Sequence, residues 1–146
     1  MSTIVVGVDG SEGAQEALEV AVREAKEKHA TLKVVTAWHV PGYAYGGLGF
    51  SPLADLNDAF HEKATATLEK ALEKLGNGSG GVEIESVVRE GRAASVLVEE
   101  SEGADELVVG SRGLGGFAGL VLGSVSQECA QHAPCSVLIV RRDGHE

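Results

Sequence analysis

Positive charge is scarce in this chain. Lys and Arg number 12 against 22 Asp and Glu, a net charge of −10. Surfaces that grip nucleic acid or anionic membrane are built from clustered Lys and Arg, so neither partner is expected. Any polyphosphate must instead be held locally, by oriented backbone dipoles, against an unfavourable overall field. Long apolar runs are missing as well: none approaches the roughly 20 residues of a membrane-spanning helix. Met1-Ser2-Thr3 leads straight into the first apolar run without a basic leader, and a cytoplasmic protein is the expectation. Cysteine is limited to Cys129 and Cys135, without CxxC or zinc spacing. They read as two reduced, partly buried thiols. The histidines at 29, 39, 61, 132 and 145 show no metal-ligand spacing, and no GxxxxGK[ST] phosphate loop occurs.

What is present is an alternation of two hydrophobic periods. Ile4-Val5-Val6-Gly7-Val8 is a short continuous apolar run ending at Asp9, the pattern of a strand buried on both faces. Ser11 can cap a helix whose apolar stripe runs through Ala14, Ala17, Leu18, Ala21, Val22 and Ala25. A second strand is expected from Leu32 to Trp38, followed by a glycine-rich loop over residues 41–51 that carries Tyr43 and Tyr45. A second helix follows through Phe60, Ala64, Leu68, Ala71 and Leu75, stopped by the glycine run from Gly76 to Gly81. Val82 to Val88 begins with strict alternation, as a half-exposed edge strand does. A short helix near 93–101, a buried strand at Leu107-Val108-Val109, a helix opening near Ser124 and a last strand at Ser136 to Val140 complete the order. Residues 1–146 thus read as one α/β domain with an open, mostly parallel five-stranded sheet and helices on both faces. In such sheets ligands lie beyond the C-terminal strand ends, here at Asp9, His39-Val40 and Val109-Gly110.

One of those ends carries a conspicuous glycine pattern. Gly110, Gly113 and Gly123-Ser124 are separated by two and nine residues. Glycine lets backbone N–H groups converge on an anion, and a helix opening at Gly123-Ser124 adds its dipole. Arg112 supplies a cation. Ser124 with Gln127 also matches an S-x-x-Q capping box, which would explain that serine without a ligand. Asp9 has two readings of equal weight: a general base or magnesium ligand at a strand end, or a carboxylate favoured by the dipole at a helix start.

The G-x2-G-x9-G-[S/T] spacing is similar to that of the nucleotide-binding branch of the universal stress protein family. The opening Val5-Val6-Gly7-Val8-Asp9-Gly10-Ser11 and the closing residues 133–140 resemble the same family, so the similarity spans the chain. It implies a Rossmann-like sheet of order 3-2-1-4-5. It places Gly110, Arg112, Gly113, Gly123, Ser124, Val125 and Ser126 around the phosphates and ribose. Gly7, Val8 and Asp9 would lie against the nucleoside, with Asp9 toward the ribose or a metal. Val40 would meet adenine through its backbone, and Val109 would line the pocket. The implied ligand is ATP, with Mg2+ as its accompanying ion, and the implied role is a regulatory stress-response module. The resemblance also implies a homodimer through Ser136 to Val140, since family members often dimerise through the last strand. One arginine, no lysine and no clear water-positioning residue beyond Asp9 do not indicate efficient phosphoryl transfer; a slow ATPase or phosphotransferase is the alternative.

Overall fold

The structure is a computed structural model that describes residues 2–40, 53–111 and 122–141. Strands β1 (Thr3–Gly7), β2 (Thr31–Trp38), β3 (Ile84–Glu90), β4 (Glu106–Gly110) and β5 (Ser136–Val140) form one parallel sheet of order β3-β2-β1-β4-β5. The expected topology is the observed one. Ile4, Val5 and Val6 of the central strand are fully buried, as their unbroken apolar run requires. β3 lies at an edge and exposes Glu85 and Ser86. It starts two residues later than the alternation suggests, because Val82 closes the preceding turn with its N–H on the Ser79 carbonyl.

Helix α1 (Glu12–Lys28) begins where Ser11, in extended conformation, accepts a hydrogen bond from Ala14 N–H. Its alanine-rich stripe is buried and packs with α2 (Leu53–Leu75) on one face of the sheet, in a core that includes Ile4, Val6, Leu18, Leu32, Leu68 and Val108. α2 starts seven residues ahead of Phe60, where its apolar stripe first becomes regular. Helices α3 (Ala93–Glu100) and α4 (Ser124–His132) cover the opposite face, over Val5, Val35, Leu107 and Val109. Lys33 and Arg89 both reach Glu100, fastening the end of α3 to the β2–β3 side of the sheet. Burial by itself would raise the Glu100 carboxyl, but the hydrogen bonds from Arg89 and Lys33 outweigh it and hold the group below its ordinary range.

A candidate nucleotide site at the strand ends

Because every strand is parallel, α1, α3 and α4 all begin at the C-terminal end of the sheet. The order in which strands are added to the sheet switches sides between β1 and β4, and a cavity of about 90 Å3 opens there. Its floor is apolar, formed by Val8, Val35, Ala37, Leu97, Val109 and Val125; Asp9, Ser11 and Ser126 supply polar groups at its wall.

Two strand-end glycines let the walls close in. A β-carbon on Gly7 would stand 2.8 Å from Leu97 Cδ1, so its absence admits the α3 side chain. A β-carbon on Gly110 would stand 2.9 Å from the Gly13 carbonyl oxygen. Gly110 therefore brings the first turn of α1 against the end of β4. This packing role is additional to the close approach to a phosphate that the sequence suggested for Gly110, which also lines the cavity.

Asp9 and Ser11 form a local unit. Asp9 Oδ1 accepts from Ser11 N–H at 2.9 Å and from Ser11 Oγ at 2.6 Å, while Ser11 Oγ accepts from Ala14 N–H. Asp9 thus orients the hydroxyl that caps α1, and it also lines the cavity.

At α4 the structure corrects a local expectation. The helix cap is Gly123, with φ −68° and ψ 162°, and among the described residues no side chain caps it. Ser124 is already helical, so it does not form the S-x-x-Q box; Gln127 Nε2 donates instead to the Leu122 carbonyl at 2.8 Å. Gly123 N–H donates to the Ser111 carbonyl at 2.7 Å, and buried Ser126 donates its hydroxyl to that same carbonyl at 3.0 Å. These bonds anchor the α4 entrance to the end of β4. The N-terminus of an α-helix carries partial positive charge on its first amides. Among the described residues no side-chain cap offsets that charge at α4, next to the cavity lined by Val125 and Ser126.

Of the residues expected at a site, Gly7, Val8, Asp9, Val109, Gly110, Val125 and Ser126 meet around this cavity. Gly123 and Ser124 stand at the helix entrance beside it. Val40 is buried after the end of β2 but is not among the lining residues. Arg112, Gly113 and the 41–51 loop with Tyr43 and Tyr45 lie outside the described residues. Sequence reasoning missed Val35, Ala37, Ala93 and Leu97 as lining residues and took Ser11 only as a cap. The two-residue spacing of Val35 and Ala37 was a usable signal once β2 was recognised as the neighbour of β1. Among the described residues there is no group of three or more His, Cys, Asp or Glu able to hold a metal ion.

The universal stress protein family profile matches residues 1–141. The chain belongs to the universal stress protein family. This universal stress protein is 33% identical to the Bacillus subtilis universal stress protein YxiE, over 94% of this chain and 97% of the relative. Its fold is similar to that of the universal stress protein UspA from Lactobacillus plantarum, with a TM-score of 0.80 at 21% identity, covering 96% of this chain and 97% of that one. It is also similar to a universal stress protein solved in complex with cAMP, with a TM-score of 0.72 at 32% identity, covering 95% and 96% of the two chains.

Proposed function

We propose that this universal stress protein is a cytoplasmic regulatory module whose single domain, residues 1–146, binds an adenine nucleotide, ATP with Mg2+, at the β1–β4 cavity. The observation that carries the reading is an apolar slot meeting a helix N-terminus that no side chain caps among the described residues. A purine base suits the apolar residues, and a phosphate suits the α4 amides. Nucleotide pockets are commonly about 300–1,000 Å3, so a cavity of about 90 Å3 encloses only part of the ligand. The remainder would lie along the mouth, where Gly110, Gly123 and Ser124 are its partners; family resemblance adds Arg112 and Gly113 as phosphate partners. The solved relative in complex with cAMP supports an adenine nucleotide as the class. Mass spectrometry of ligand released from purified protein, followed by calorimetric titration with ATP, ADP, AMP, cAMP and GTP, tests it. ATP is expected to bind ahead of ADP, and GTP weakest. Absence of affinity tighter than about 1 mM, a free energy near −4 kcal/mol, for every adenine nucleotide overturns it.

The same reading makes the protein a homodimer through β5. This strand lies at the sheet edge and pairs with β4 along one side. Val137, Leu138, Ile139 and Val140 are apolar and only half-buried. An uncharged edge of this kind is a template for another strand, and an antiparallel match with a second copy about a two-fold axis would cover it. Light scattering is expected to give a dimer that Ile139→Pro converts to monomer or aggregate. A stable parent monomer at high micromolar concentration overturns the assembly.

A further inference from the structure

The cavity wall on the α3–α4 face is a seam between two helices: Ala93 and Leu97 come from α3, Val125 and Ser126 from α4. One ion pair spans that seam. Arg92 is the N-cap residue of α3, yet its side chain does not cap the helix. Its Nη2 reaches Glu128 Oε1 on α4 at 2.7 Å, and its Nη1 lies 3.4 Å from Ser95 Oγ in the first turn of α3. Arg92 thus adjoins the lining residue Ala93, and Glu128 sits one turn beyond Ser124.

We propose that the Arg92–Glu128 pair is a clamp that sets the position of the α4 N-terminus at the nucleotide cavity, with Arg92 a positioning residue. α4 has nine residues and fully buries only Ser126 and Cys129, with Val125 and Cys129 packed in the same apolar layer as Val96 and Leu97 of α3. Ser126 and Gly123 tie its entrance to Ser111 on the β4 side. Arg92 ties it on the α3 side. Helix amides act on an anion only when held at the right place, so loss of the second tie should weaken binding with the fold intact. Both partners are exposed, Arg92 by 64% and Glu128 by 38%, which keeps the effect small and sensitive to salt.

The effect on binding rests on the nucleotide reading; the mechanical role does not, and two measurements separate them. ATP titration at low salt is expected to show Arg92→Glu and Glu128→Arg each weakening binding about three- to five-fold. The doubly swapped protein should return to within about two-fold of the parent. Hydrogen exchange without nucleotide should show faster exchange of the helix-bonded amides from Gln127 to Ala130 in each single variant and recovery in the swap. Unchanged exchange in the single variants overturns the clamp. So does a loss of ATP affinity in Arg92→Glu that the swap fails to restore, which would assign Arg92 to direct contact with the phosphates. Should the parent bind no adenine nucleotide, the proposed function fails while exchange still decides the clamp.

Discussion

Gly110 at the end of β4 lies against Gly13 in the first turn of α1, with 2.9 Å between a β-carbon placed on the former and the carbonyl oxygen of the latter. The obstacle is backbone, so it cannot rotate aside as a long side chain could. Gly110→Ala should push the start of α1 outward and destabilise the protein by about 1–3 kcal/mol, the usual range for overpacking. Urea denaturation measures the first effect, and ATP titration under native conditions should show weaker binding. Unchanged stability would mean that α1 yields at no cost.

Asp9 holds Ser11 through two hydrogen bonds. Asp9→Ala removes both and should lower stability by about 0.5–1 kcal/mol, within the range for a weakened helix cap. Asp9→Asn keeps a side-chain oxygen to accept from Ser11 and should recover most of that loss. Nucleotide titration of both variants with Mg2+ and with EDTA separates the remaining roles. A loss confined to Mg2+ assigns Asp9 to the metal, and an equal loss in both assigns it to the ribose or to the α1 start.

At the opposite end of the sheet Glu106 is held by its surroundings above the ordinary carboxylate range, first by burial and then by its hydrogen bond with Glu24. Glu24 is lowered, chiefly by its hydrogen bond from Lys28. The Lys28 amine stands 3.1 Å from Glu24 and 3.5 Å from Glu106. A raised carboxyl favours its protonated form, so its contribution is present below the unfolded pKa and is lost as pH rises through the folded one. Glu24 acts in the other sense, and its contribution is lost as pH falls through its lowered value. Glu106→Gln removes the first loss while keeping a donor for Glu24. Thermal unfolding should therefore favour the variant over its parent more at pH 8 than at pH 5. A difference independent of pH would assign Glu106 no titration in this window.

The two thiols should be inert in the folded protein. Cys129 is fully buried, and burial, followed by the charge of Glu128, pushes its thiol up to about 11. Cys135 is raised by burial too. The thiolate is the reactive form, and a pKa near 11 leaves Cys129 about one part in 10,000 ionised at pH 7. Alkylation with iodoacetamide at pH 7 should modify Cys129 only after denaturant is added. Prompt modification of the native protein would contradict its burial.

Much of this architecture is local information, which is why it could be read from residues in order. The apolar run at Ile4-Val5-Val6 needs cover on both sides wherever it sits, and it became the central strand. The charge at Glu85 cannot be buried cheaply, so its strand went to an edge. Asp9, Val109 and Gly110 fall at C-terminal strand ends, and in a parallel sheet those ends meet. Other features depended on what chain-distant residues present to one another. Gly110 and Gly13 are 97 positions apart in sequence, and only packing reveals that the glycine accommodates a helix carbonyl. Leu97 enters the cavity because Gly7 leaves room for it, and Arg92 meets Glu128 because two helices lie side by side. At Gly123 a local motif lost to a distant bond: Ser111 takes the amide, the cap moves back one residue from Ser124, and the hydroxyl expected to cap is carried into the helix. Periodicity and spacing constrain a residue's own backbone and the face it occupies. Which atoms then fill or line the space opposite is decided by close packing of elements whose separation in the sequence carries no trace of their distance in space.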